Sequence, residues 1–563
     1  MILTGCDGGP ARERTWPDLR PFQRSGTLLE RKPVESYNQV MNNAPKHRIL
    51  WADDEIDLLK PHVRFLEGKG YEVVAVLNGE DALSRVKTES FDAVLLDEMM
   101  PGMGGIATLR AIKDLDPTMP VVLITKSEEE LLMEEAIGRR IDDYLVKPVN
   151  PTQVFSTLKR LTERRKIERG AFTRDYVTEF NRLQQMRMGP LSQDEWPDLY
   201  HRVTDLELAL SHIEDEGLRQ AHADMKRELD RDFGRFIEKR YPSWIQDPKS
   251  RPVMSPDILS RYVVPHLDPG HTVYLIIIDC MRLDQWLAIQ HHLAAHFRID
   301  LDLYYSILPS ASSYSRNALF SGVLPAEMAK RHPDWWLERA QGGGKNRYES
   351  EFLGAQLARL GKGDLRFKYL RIHDEEGEQN LRREINTYSG IPLVAMVFGF
   401  LDQITHGRAE SSVLRELAPT ESAFRDILES WFQHSALFEV LRKTASQNAT
   451  VILTSDHGAI QARHSTLVHG NRDTSTNLRY KHGANLRAED KDAIRITRPT
   501  EWGLPDDFLN KNYLLAREDR YFVYPTNFHE YERLYLDSFQ HGGVSMEEVI
   551  LPCATLRPRP GGA

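Results

Sequence analysis

Residues able to carry metal or nucleophile chemistry recur in this chain at one kind of place, the point where an apolar run stops. "HRILWADDE" ends on Asp53 and Asp54, "FDAVLLDEMM" meets Asp97, "PVVLIT" ends on Thr125, and "DYLVKP" carries Tyr144 and ends on Lys147. Later, "YLIIID" ends on Asp279, "VFGFLD" on Asp402 with His406 four residues on, and "VILTSDHG" on Asp456 and His457. His541 stands in "FQHGGVSMEE", where paired glycines permit a tight turn. "SILPSASSYSRNALFSGVLP" sets Ser310, Ser312 and Ser313 between an apolar run and a helical pattern.

Carboxylates gathered at one sheet edge repel each other unless a cation joins them, and the all-oxygen set Asp53, Asp54 and Asp97 suits Mg²⁺. For the later set, a serine triad would use one nucleophile, one base and one acid. That leaves most of these residues without a role, and the G-x-S-x-G elbow is missing. Three aspartates and three histidines instead suit two adjacent zinc ions with mixed nitrogen and oxygen ligands. A metal-bound hydroxyl can ionise at neutral pH and attack phosphorus. Arg316 is a candidate for a substrate phosphate, and Arg479 and Lys481 in "STNLRYKHG" form a basic loop able to meet a polyanion.

The elements that must position these residues alternate. Across 47–165, apolar strands and helical patterns such as "EIDLLKPHVRFLEGKG" follow one another, the pattern of a parallel sheet flanked by helices. Residues 166–254 hold long, charged, helically periodic segments that read as a helical bundle or linker. From 255 to 557 uniformly apolar strands return, as in a larger α/β domain buried on both faces. Residues 1–46, rich in Gly, Pro and Arg, read as disordered, and 558–563 as a tail. Met41 opens a second candidate start, so translation of residues 1–40 is open. The formal charge of -10 disfavours a nonspecific grip on DNA or anionic membrane. Cys6, Cys280 and Cys553 are odd in number and far apart, which favours a reducing compartment, so a cytoplasmic protein is expected. Its longest apolar runs reach about half the roughly 20 residues that span a bilayer, so no membrane insertion is expected.

With its acids, Thr125, Lys147 and Pro148 in order, the first module resembles a response-regulator receiver domain, of flavodoxin-like fold. The resemblance implies that Asp97 accepts a phosphoryl group and that Asp53, Asp54 and Asp97 hold Mg²⁺. Thr125 and Lys147 would bind phosphoryl oxygens and Tyr144 would be the aromatic switch. The last module resembles the PglZ domain of the alkaline phosphatase superfamily, on "DCMRLDQW", "SRNALFSG", "TSDHG" and "HGGVSMEE". Pro309-x-x-Ser312, with Ser321-Gly322 and Pro325, resembles the nucleophile segment of nucleotide pyrophosphatases and phosphodiesterases. By that likeness Ser312 is the nucleophile. Asp402, His406 and His541 hold one zinc, and Asp279, Asp456, His457 and Ser312 the other.

The whole arrangement resembles PorX-type response regulators. That implies a cognate sensor histidine kinase, a homodimer formed on phosphorylation, control of type IX secretion, and zinc-dependent hydrolysis of linear or cyclic oligonucleotides. The alternative is a phosphorylation-switched scaffold that binds a transcription or sigma factor and keeps zinc for structure. A DNA-binding regulator is disfavoured by the acidic balance and by the lack of a recognisable helix-turn-helix at the end of the chain.

Overall fold

A computed structural model describes residues 47–126, 141–211, 215–336, 342–410, 416, 420–470, 477–526 and 528–559, without the side chains of 164–172, 342–343 and 408–410. The expected extension at 1–46 and most of the expected tail lie outside the described residues. The chain forms two compact units that divide between Asp175 and Tyr176.

In the first unit, β1 (His47–Ala52), β2 (Tyr71–Val76), β3 (Ala93–Asp97), β4 (Val121–Thr125) and β5 (Asp143–Val146) form one sheet in the order β2-β1-β3-β4-β5. Every pairing is parallel. The period of two along a strand divides its apolar residues between the two faces. Ile49, Trp51, Leu95, Val122 and Ile124 enter one core, and Leu50, Ala52, Val94, Leu96, Val121 and Leu123 the other. Helix Gly105–Leu115 begins against the Asp97 backbone, where a Cβ on Gly105 would stand 2.3 Å from the Asp97 carbonyl oxygen. Only glycine fits so close an approach.

The second unit is built on a sheet of six strands. These are β6 (Val273–Ile278), β7 (Phe297–Tyr305), β8 (Phe367–Ile372), β9 (Leu393–Phe398), β10 (Thr450–Thr454) and, near the end of the chain, β18 (Ile550–Pro558). Between them in sequence come β11 (Ile460–Ala462), β12 (His464–Leu467), β13 (Tyr480–Ala484), β14 (Ala493–Ile496), β15 (Lys511–Ala516), β16 (Arg520–Val523) and β17 (Ser538–Gln540). Those pair as β11-β17, β12-β16 and β13-β15-β14. The large sheet runs β7-β18-β10-β6-β9-β8, with β10, β6, β9 and β8 parallel and β18 antiparallel to both neighbours. The carboxyl ends of β6, β9 and β10 therefore share an edge with the start of β18 and the end of β7. Every segment carrying a candidate ligand or serine enters there.

Helix Pro151–Arg187 crosses the expected boundary at 165/166 without a break. Helices Glu195–Ser211 and Glu216–Gln246 follow. Their Trp196, Tyr200, Val203, Phe233, Ile237 and Trp244 are buried in the same core as β6, β9 and β10, so these linker helices do not form a core of their own.

A buried charge network fastens them further. Lys226 Nζ lies 2.9 Å from Glu207, 2.9 Å from Glu547 and 3.4 Å from Glu421. Arg425 bridges Glu207 and Asp284 at 3.0 and 2.9 Å. Burial opposes charge on Lys226, yet its carboxylate partners outweigh that cost and hold the ammonium well above its usual pKa. Lys226→Ala should lower unfolding stability by about 3 kcal/mol, because it strands the buried Glu547 carboxylate and the half-buried Glu207 and Glu421. Ala at the exposed Lys239 should change it by less than about 0.5 kcal/mol in the same urea titration.

Candidate functional site

At the edge of the first sheet, Asp53, Asp54 and Asp97 present oxygens within 4.8 Å of one another. Asp53 and Asp97 are buried while Asp54 is exposed. Lys147 Nζ stands 2.8 Å from Asp97 and 3.3 Å from Asp53. Burial, aided by the charges of Asp53 and Asp54, raises the Asp97 pKa against the pull of Lys147. One ammonium facing three carboxylates leaves the cluster short of positive charge, which is the deficit a hard divalent ion would fill. Thr125 closes β4 in a buried position, and Tyr144 on β5 is 46% exposed.

In the second unit the structure brings seven sequence-predicted residues together. Asp279 follows β6, Asp456 and His457 follow β10, and Asp402 and His406 lie one turn apart on helix Phe400–Glu410. Ser312 Oγ is 2.8 Å from His457 Nε2 and donates to Asp279 Oδ1 at 3.2 Å. His457 Nε2 lies 3.5 Å from Asp279 and 3.7 Å from Asp456. Beside this group, His406 Nε2 is 3.1 Å from His541 Nε2, with Asp402 Oδ1 3.3 Å from the first and 3.8 Å from the second. The His457 and His541 rings stack at 4.1 Å and join the two groups.

These spacings fit cations. Donors bound tetrahedrally to zinc stand about 3.4 Å apart. His457 Nδ1 lies 3.1 Å from the Gly458 carbonyl oxygen, which can only accept, so Nδ1 carries the hydrogen and the Nε2 lone pair faces carboxylate oxygens. A shared metal ion would relieve that opposition. Asp402 Oδ1 is buried and faces the Nε2 atoms of His406 and His541, so one oxygen and two imidazole nitrogens converge there. Cys280, next to Asp279, adopts a left-handed φ of 71°, and its N–H donates to Asp456 Oδ1 at 3.4 Å. Such strain at a non-glycine residue is held in place by its surroundings.

Burial, reinforced by Asp279, pushes the Asp456 carboxyl up to about 7. Burial acts in the same sense on Asp279, but Arg316 overrides it and brings that carboxyl down to about 2. Burial, with His457 and His406 alongside, drives His541 well below its ordinary value and keeps it neutral, as a metal ligand must be.

The serines separate by their partners. Ser310 Oγ donates to the Gly543 carbonyl and accepts from the Gly542 N–H, so it braces the turn after His541. Gly542 takes φ 112° there, and a Cβ on it would meet the Tyr480 ring at 2.3 Å. Of these serines it is Ser312 whose hydroxyl meets candidate ligands, His457 and Asp279. Arg316 is buried, one turn after Ser312, against Asp279, Asp456 (3.4 Å) and Glu349 (2.6 Å).

The reading of Arg479 and Lys481 as a basic substrate loop is corrected. Both are buried, Lys481 within β13 and Arg479 at its start. Arg479 pairs with Glu548, whose Oε1 also receives the Gly543 N–H at 2.8 Å, so the pair supports the turn carrying His541. Lys481 Nζ lies over the Tyr524 ring, 4.7 Å from its centroid, and burial lowers its pKa to about 7.

Sequence reasoning missed Asn346, Glu349 and Tyr369. Asn346 donates to the Ser312 carbonyl at 2.8 Å and to Glu349 at 2.7 Å, and the Tyr369 hydroxyl donates to Glu349. They reach the site from a short helical turn, a helix start and β8, with no apolar run ending on an acid to mark them.

A family model described as the BREX system PglZ alkaline phosphatase-like domain matches residues 258–556, over half of the chain. The chain belongs to that family. A response regulator receiver domain matches 49–159 and a PorX response regulator linker domain matches 166–245, which together give a PorX-type architecture. The chain therefore joins a response regulator receiver domain to an alkaline phosphatase-like domain. The transcriptional regulatory protein ZraR of Salmonella typhimurium is 37% identical over 112 residues, 20% of this chain and 25% of its own length. ResD of Bacillus subtilis is 32% identical over 124 residues, 22% of this chain and 51% of its own. The chain thus spans a quarter to a half of these curated relatives. Among solved structures, a CheY-like receiver domain protein from Methanospirillum hungatei JF-1 is 30% identical, with TM-score 0.21, covering 22% of this chain and 98% of that chain. The Francisella response regulator 1452 receiver domain is 26% identical, with TM-score 0.20, covering 21% and 98%. Among the described residues no helix is long and apolar enough to cross a membrane.

His541→Ala should carry one zinc fewer per chain than wild type by elemental analysis, since it removes one of three ligands from one group. Acetyl phosphate with Mg²⁺ should phosphorylate wild type and leave Asp97→Asn unmodified by intact mass.

Proposed function

We propose that the PglZ domain is a zinc-dependent phosphodiesterase acting on linear or cyclic oligonucleotides, and that phosphorylation of Asp97 controls dimerisation. One observation carries the enzymatic reading: a serine hydroxyl stands 2.8 Å from His457 Nε2 and 3.2 Å from Asp279 Oδ1, with Asp402, His406 and His541 alongside. A purely structural metal site has no use for a hydroxyl so placed, with a second ligand group next to it.

Asp279, Asp456, His457 and Ser312 would hold one zinc, and Asp402, His406 and His541 the other; bound zinc would supply Lewis acidity and neutralise phosphoryl charge. Ser312 provides the attacking oxygen. Asn346 fixes the Ser312 backbone, and Glu349 holds the buried Arg316 against Asp279 and Asp456, where it orients those acids rather than meeting substrate. The nucleophile segment's likeness to phosphodiesterases supports a diester substrate, and the PorX linker match supports a place in type IX secretion control.

In the receiver, Asp97 is the acceptor, Lys147 the partner for the transferred charge, and Asp53 and Asp54 the metal-holding acids. A phosphorylated Asp97 can favour the dimer only by differing in affinity between the two states.

Hydrolysis of bis-p-nitrophenyl phosphate and of short linear and cyclic oligonucleotides should fall by at least about 10³-fold in Ser312→Ala. Equal rates in both proteins would overturn the nucleophile assignment. An acyl-phosphate mimic such as beryllofluoride should shift sedimentation of wild type, and not of Asp97→Asn, toward the dimer at micromolar concentration.

A further inference from the structure

A further gathering of metal-ligating side chains lies apart from both sheet edges and has no part in the proposed chemistry. His291 and His292 occupy the turn Gln290–Leu293, which follows helix Leu283–Ile289. Glu429 and Gln433 stand one turn apart on helix Glu421–His434 and so share a face. His292 Nε2 is 2.8 Å from Glu429 Oε1, and His291 Nε2 is 3.5 Å from the same oxygen. Gln433 Nε2 lies 3.2 Å from His292 Nε2, and the two imidazole centroids are 3.8 Å apart.

Two imidazole nitrogens thus converge on one Glu429 oxygen, with the Gln433 amide, which can turn either its oxygen or its nitrogen inward, beside them. A cation would use this convergence: both imidazoles turn lone pairs to it, Glu429 gives an oxygen, and the Gln433 amide presents its own. Separations of 2.8 and 3.5 Å bracket the ~3.4 Å expected between donors on one tetrahedral ion. Two imidazoles and one carboxylate select zinc and its transition-metal neighbours over Mg²⁺ or Ca²⁺, which prefer all-oxygen sites.

We propose that His291, His292 and Glu429 bind a zinc-class divalent ion that clamps helix Glu421–His434 to the turn after helix Leu283–Ile289. The clamp has a structural consequence. The same helix supplies Glu421 and Arg425 to the charge network around Lys226, and the preceding helix supplies Asp284. The clamp ion therefore pins the segments that bind the linker helices to the α/β domain. His291 is 60% exposed at its side chain and Glu429 35%, so the site opens to solvent, its remaining position is available to water, and its ion exchanges with free zinc. None of this depends on the hydrolase reading.

The test uses the full chain and Zn²⁺ itself as probe. After equilibrium dialysis, His292→Ala and the more exposed His291→Gln should each hold one zinc fewer than wild type. Both should lose part of the zinc-induced rise in Tm. In the His541→Ala background the same ion should still bind, which separates this site from the one beside Ser312. Cobalt substitution gives a second readout: the visible absorption of the wild type should lose one component in His291→Gln. Equal zinc content in wild type, His291→Gln and His292→Ala, or a cobalt spectrum that neither variant alters, would overturn the proposal.

Discussion

Crowded negative charge at the end of a parallel sheet is the constraint on which this molecule turns. Buried carboxylates a few ångströms apart cannot all stay ionised without cations between them. Both units set that problem at the same topological place, beyond the carboxyl ends of their strands. In the receiver one lysine answers part of it, with Asp97 and Asp53 both within 3.3 Å of Lys147. In the larger unit Arg316 answers part of it, drawing Asp279 down while Asp456 is pushed up to about 7. A divalent ion would meet the rest of that charge in each cluster, and in the second unit His457 turns its Nε2 lone pair toward carboxylates as a metal ligand would.

The rest of the fold serves that geometry. Parallel pairing of β6, β9 and β10 delivers Asp279, Asp402, Asp456 and His457 to one edge, and antiparallel β18 returns the chain so that His541 arrives beside them. The turn behind His541 is held by Ser310, by the left-handed Gly542 and by the Arg479–Glu548 pair. Lys226 pairs with Glu547 in the short helix Met546–Val549 that follows this turn, so the linker helices are fastened to the segment that carries the candidate ligand His541. Packing and charge thereby place the site under the influence of the helices that precede it in the chain.

How much of this was legible in the sequence depended on locality. A buried strand that stops on or just before an acid declares both its element and its edge, which is why β1, β3, β6, β9 and β10 and the acids after them are legible directly. β8 and β18 were not assigned as strands: the residues of β8 are mostly only half-buried, and β18 contains Pro552. Asn346 and Glu349 act through contacts made by a turn and a helix start, which no period in the chain announces. Arg479 and Lys481 were misread because a run of basic residues near a metal motif looks like a solvated loop. What buries Arg479 is Glu548, 69 positions away, and no local pattern shows that partner.

Anomalous diffraction at the zinc edge from crystals of the full chain tests the metal account most directly. It should show one peak ringed by Asp402, His406 and His541 and another ringed by Asp279, Asp456, His457 and the Ser312 hydroxyl. A folded, zinc-saturated crystal with no peak among those side chains would contradict the account.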